Sequence, residues 1–122
     1  MKKILVVDDE PELVKAIEIR LKAENYQVFT AFDGEEGLAR AREVLPDLII
    51  LDIMLPKLNG FKICRLLKFD EKYKEIPVIM LTAKTDEADK ATGKETGANE
   101  YITKPFDWKL LMEKVKEYLE KK

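Results

Sequence analysis

A chain of 122 residues is the length of one ordinary domain, and its 46% hydrophobic content is enough to fill a single core. Its 22 basic and 24 acidic side chains leave a formal charge of -2, so no field favours a polyanion and direct nucleic-acid binding is disfavoured. The apolar runs are too short for a bilayer, the opening "MKKILVVDDEP" ends in acids where a secretory signal would have a cleavage site, and the lone Cys64 has no internal partner, features that predict a cytoplasmic protein with no membrane segment.

The first run, "KKILVVD", is short and β-branched, as a buried parallel strand should be. Pro11, just after Asp9 and Glu10, suits the first turn of a helix whose Leu13, Ile17 and Leu21 share one face. "YQVFTA" predicts a second strand, and Leu38, Ala41 and Leu45 a second helix at a period near 3.6. "PDLIILD" predicts the third strand, after which Phe61, Cys64, Leu67 and Lys68 are spaced around a helix. "IPVIMLT" is the fourth strand. The segment "DEADKATGKETG" is the weakest helix, because Gly93 and few large apolar residues predict a short or labile element. "EYIT" is the fifth strand, and Leu111, Val115 and Leu119 form one face of a last helix behind an Asp107 cap.

Five strands alternating with five helices predict an α/β fold, a doubly wound parallel sheet with right-handed crossovers. No linker, repeat or low-complexity stretch divides residues 1–122, which are expected to form one domain without an output domain. In such sheets ligands bind outside the carboxyl ends of the strands, where the strand order switches.

Polar residues end the apolar runs at that edge: Asp8 and Asp9 after the first strand, Asp52 after the third, Thr82 after the fourth and Lys104 after the fifth. Singly, an acid or threonine at a strand end is commonly a helix cap, and a lysine a surface residue. Their joint placement at four strand ends is what points to a site. Crowded carboxylates repel one another unless a cation compensates. With no histidine in the chain, that cation would be oxygen-bound, and few carboxylates plus phosphate oxygens suit Mg²⁺, with Mn²⁺ as an alternative, better than Ca²⁺. Lys104 would supply a point charge and Thr82 a hydroxyl for a tetrahedral phosphoryl group, with Asp52 the nucleophile that becomes an aspartyl-phosphate. Cys64 and Trp108 read as packing residues.

The stretches "ILVVDDEP", "PDLIILDIMLPKLNG", "IPVIMLTAK" and "GANEYITKPF" resemble the response-regulator receiver domain, CheY-like, of two-component signalling, over essentially the whole chain. The resemblance implies the flavodoxin-like strand order 2-1-3-4-5, for which a receiver protein is the standard example. It further implies that Asp52 is the phosphoacceptor, that Asp8, Asp9 and Asp52 hold Mg²⁺ with the backbone carbonyl of Met54, and that Thr82 and Lys104 contact the phosphoryl oxygens. Tyr101 matches an aromatic that changes rotamer with the threonine, coupling the site to the face of the fourth helix, fifth strand and fifth helix. A cis bond between Lys104 and Pro105 is also implied. Partners would be a sensor histidine kinase or phosphotransfer protein upstream, and a downstream protein target, a detached output domain or a second phosphorylated copy. Met54 and Lys84, two residues beyond Asp52 and Thr82, border the pocket, so shortening Lys84 is expected to change dephosphorylation. Asn59 stands where the family often has aspartate, which is expected to alter the loop after Asp52 without removing a ligand, and Lys94 and Thr96 stand where it commonly has apolar or small residues, so an atypical output face is expected.

Other readings fit less well. A haloacid-dehalogenase-type phosphatase needs a second aspartate two residues beyond the nucleophile, where this chain has Met54. A flavin binder would cradle phosphate in its first loop, which "DDEPE" would repel. A degenerate receiver, an interaction module independent of phosphorylation, is the second choice. The expected protein is a switch that only phosphorylates and dephosphorylates itself, with no separate substrate turned over.

Overall fold

The apolar runs become parallel strands in a computed structural model that describes residues 1–120. In chain order they are β1 (Lys3–Val7), β2 (Gln27–Ala31), β3 (Leu48–Leu51), β4 (Val78–Thr82) and β5 (Glu100–Thr103), joined by α1 (Pro11–Ala23), α2 (Gly34–Val44), α3 (Gly60–Lys68) and α4 (Glu87–Glu95) and followed by α5 (Trp108–Leu119). The sheet order is β2-β1-β3-β4-β5, as the resemblance implied. The order switches between β1 and β3, so the segments leaving these two strands flank one crevice.

Alternation along the strands builds two cores. Ile4, Val6, Leu48, Ile50, Ile79 and Leu81 meet α1 and α5 through Val14, Ile17, Leu21, Leu111 and Val115. Their neighbours Leu5, Val7, Ile49, Leu51, Val78 and Met80 face α2 and α3 through Ala41, Ile63, Cys64 and Leu67. Both faces are covered, so β3 and β4 are buried throughout and could not have carried alternating polar residues.

Helix ends follow from local chemistry. Pro11 is the first residue of α1, and the carboxylates of Asp33 and Asp107 accept amide hydrogens at the heads of α2 and α5. Leu45, expected on the buried face of α2, lies outside that helix: it is the C-cap with φ 50° and is 46% exposed. Pro46 disfavours right-handed helix for the residue before it, and the left-handed turn at Leu45 swings its side chain outward. Asn59 caps α3, its side-chain oxygen accepting from Lys62 N at 3.0 Å. The segment judged weakest forms α4 despite Gly93, because a Cβ there would lie 2.9 Å from the Tyr101 ring: the missing side chain makes room for that tyrosine. Thr96 is not a surface feature. It is fully buried at the end of α4 and donates to the Gly93 carbonyl at 2.7 Å, whereas Lys94 is exposed.

Candidate functional site

Asp8 directly follows β1 and Asp52 directly follows β3, strands paired Val7 to Leu51, so register alone sets the two carboxylates side by side. Both are nearly buried, Asp8 at 2% and Asp52 at 5% exposure. Neither lies bare. Asp8 accepts the Glu10 amide at 3.0 Å and the Lys104 ammonium at 2.8 Å, while Asp52 accepts the Met54 amide at 3.2 Å and the same ammonium at 3.2 Å. Burial pushes the Asp8 carboxyl above its ordinary range, and the Lys104 and Glu10 contacts only partly offset that rise.

Lys104 leaves β5 just before a cis bond to Pro105 and reaches back across the sheet edge. Burial alone would favour its neutral amine, but the hydrogen bonds of Asp8 and Glu10 outweigh this and hold the ammonium well above its usual range. Thr82 ends β4 fully buried, its hydroxyl oxygen 3.4 Å from the Lys84 amide. Tyr101, on β5, donates its hydroxyl to the Lys84 carbonyl at 2.9 Å. The main chain of Lys84 therefore touches both Thr82 and Tyr101.

The crevice thus brings together Asp8, Asp52 and Lys104, with Thr82 at the end of the adjoining strand. Asp9 stands apart: it is exposed, and its side chain makes no hydrogen bond or ion pair among the described residues. Met54 is 56% exposed beside Asp52. Glu10, which sequence reasoning passed over, joins the cluster instead, bonded to Lys104 at 2.7 Å. The signal available was the third acid of "DDEP", but an acid before a helix-opening proline looks like an ordinary helix head.

One carboxylate oxygen from each of Asp8, Glu10 and Asp52 lies within 4.8 Å of the others. The two buried members, Asp8 and Asp52, offer only oxygen donors, which fits a hard divalent ion such as Mg²⁺, while the exposed Glu10 is engaged by the Lys104 ammonium. Among the described residues no helix is long and apolar enough to cross a membrane.

Comparison with known proteins places this geometry. Residues 4–116 match the family described as the response regulator receiver domain. The chain is 48% identical over 118 residues to the alkaline phosphatase synthesis transcriptional regulatory protein PhoP of Bacillus subtilis, covering 97% of this chain and 48% of PhoP. It is 44% identical over 119 residues to the DNA-binding dual master transcriptional regulator RpaA of Synechocystis, covering 98% and 49%. The chain therefore spans about half the length of these curated relatives. Among solved structures, the BeF3-activated DrrB receiver domain superposes with a TM-score of 0.90 at 38% identity, covering 99% of each chain; DrrB is from Thermotoga maritima. The chain belongs to the response-regulator receiver domain family of two-component signalling.

Proposed function

We propose that Asp52 accepts a phosphoryl group from the phosphohistidine of a sensor kinase or a phosphotransfer protein. The observation that carries this reading is the buried Asp52 carboxylate held beside Asp8 under a single ammonium. A carboxylate oxygen of Asp52 bonds to phosphorus as the donor's P–N bond breaks, and the electron pair leaves with the imidazole nitrogen. Asp8, Asp9 and Asp52 with the Met54 carbonyl would hold Mg²⁺, and Mn²⁺ could substitute for it. When bound, the metal supplies positive charge for the phosphoryl oxygens. Lys104 orients and neutralises one of those oxygens, and Thr82, at the end of the adjoining strand, donates to another.

The consequence is a population shift rather than turnover of a separate substrate. Phosphorylation draws on Thr82, whose loop partner Lys84 also anchors Tyr101, so the signal reaches the α4, β5 and α5 face. The regulatory names of PhoP and RpaA support an output through a DNA-binding domain or other protein target, with this domain itself making no nucleic-acid contact. Residues 1–122 act as one receiver in the cytoplasm, and a second phosphorylated copy is a further candidate partner. Beryllofluoride with Mg²⁺, the activator of the DrrB receiver, tests the pocket: the amide resonances of Asp52, Thr82 and Lys104 are expected to shift, and an unchanged spectrum would contradict the reading.

A further inference from the structure

Glu10 departs from what its position predicts. It is the N-cap of α1, yet its carboxylate caps no amide of that helix. Instead it makes the shortest of the three contacts to Lys104, at 2.7 Å against 2.8 Å for Asp8 and 3.2 Å for Asp52. An ammonium has three N–H donors, and these three carboxylates commit all of them. The Glu10 main chain is itself fixed, because its amide donates to Asp8. The side chain of Glu10 is 59% exposed and that of Lys104 only 14%, so Glu10 holds the ammonium from the solvent side, where a phosphodonor must enter.

We propose that Glu10 is a positioning residue that keeps Lys104 in reserve, tethering the ammonium at the mouth of the site until an anionic phosphoryl group displaces it. This rests on the phosphoacceptor reading of Asp52. Of the three partners Glu10 is the dispensable one: Asp52 must be free to react and Asp8 would hold the metal, so the donor that Lys104 offers a phosphoryl oxygen is the one Glu10 releases. The tether slows phosphorylation by competing for that donor.

Three variants separate tether from field. Glu10→Gln removes the charge, Glu10→Asp keeps it but is one methylene too short to reach from the fixed backbone, and Glu12→Gln neutralises an exposed acid on the first turn of α1 without touching Lys104. With acetyl phosphate and Mg²⁺, both Glu10 variants are expected to be phosphorylated about two- to fivefold faster than wild type, the span that one partly exposed ion pair covers, and Glu12→Gln to match wild type. A Glu10→Asp rate equal to wild type, or equal acceleration in Glu12→Gln, would overturn the tether. Calorimetric Mg²⁺ affinity should stay within about twofold in Glu10→Gln, and a loss of about tenfold, as for a metal-site residue, would overturn it too. The ¹⁵Nζ resonance of Lys104 gives a reading independent of chemistry: slow proton exchange in wild type and fast exchange in both Glu10 variants. That reading stands even if wild type takes no phosphoryl group, an outcome that would sink the phosphoacceptor proposal alone; unchanged exchange would sink the tether.

Discussion

Lys84 shows how one residue can serve two purposes through different atoms. Its amide and carbonyl touch Thr82 and Tyr101, while its ammonium lies 4.0 Å from Asp89 at the rim of the crevice. Lys84→Ala keeps both main-chain contacts and removes only the rim charge, so the Tyr101 hydrogen bond should persist while the decay of the phosphorylated form changes. Equal decay of wild type and variant would refute a role for that ammonium. Two other residues predict a pH response. Burial, then Glu120, pushes the Tyr26 phenol up to about 12, and burial, then Glu100, does the same for Tyr118. Each phenol binds its proton more tightly folded than unfolded, where the ordinary value is 10, so its stabilisation is complete below pH 10 and is lost as pH rises through about 12. Urea midpoints should therefore fall across that window, less steeply in Tyr26→Phe and Tyr118→Phe; parallel slopes in all three proteins would contradict the assignment.

At the scale of elements, α4 is the helix with least to hold it, since Gly93 is the one residue it buries. An alanine in a helix interior is ordinarily better than glycine by about 1 kcal/mol. Here the added Cβ would sit 2.9 Å from Tyr101 Cδ2 and 3.2 Å from Met80 Sδ, both on the underlying strands. Gly93→Ala is therefore expected to lose about 1 kcal/mol or more, in the range of overpacking, and to turn the Tyr101 ring away from Lys84. Chemical denaturation and the Tyr101 ring resonances check this together. A variant stabilised by about 1 kcal/mol with an unmoved tyrosine would show that α4 and β5 are not coupled at this point. The same packing explains why glycine misled the reading of this segment: sequence records the lost helix propensity but not the ring that occupies the space.

For the whole molecule, the doubly wound sheet was legible because both of its faces are covered, which turns the central strands β1, β3 and β4 into nearly unbroken apolar runs, whereas the edge strands β2 and β5 are mixed and only partly buried. Asp8, Asp52 and Thr82 stood out because each closes one of those central runs, and Lys104 because it follows the short fifth strand at the same edge. What stayed hidden depends on side-chain reach and turn geometry. Glu10 is an exposed acid whose partner lies 94 positions away, and Leu45 fits the helical period but is turned out by Pro46. Asp9 shows the converse: adjacency to Asp8 in sequence does not place its carboxylate beside the ammonium. The proposed phosphorylation of Asp52 is tested most directly by intact mass after incubation with acetyl phosphate and Mg²⁺, beside Asp52→Ala and an EDTA control. A gain of one phosphoryl group that needs both Asp52 and the metal is expected; no gain under donor excess, or a gain that survives Asp52→Ala, would overturn the proposal.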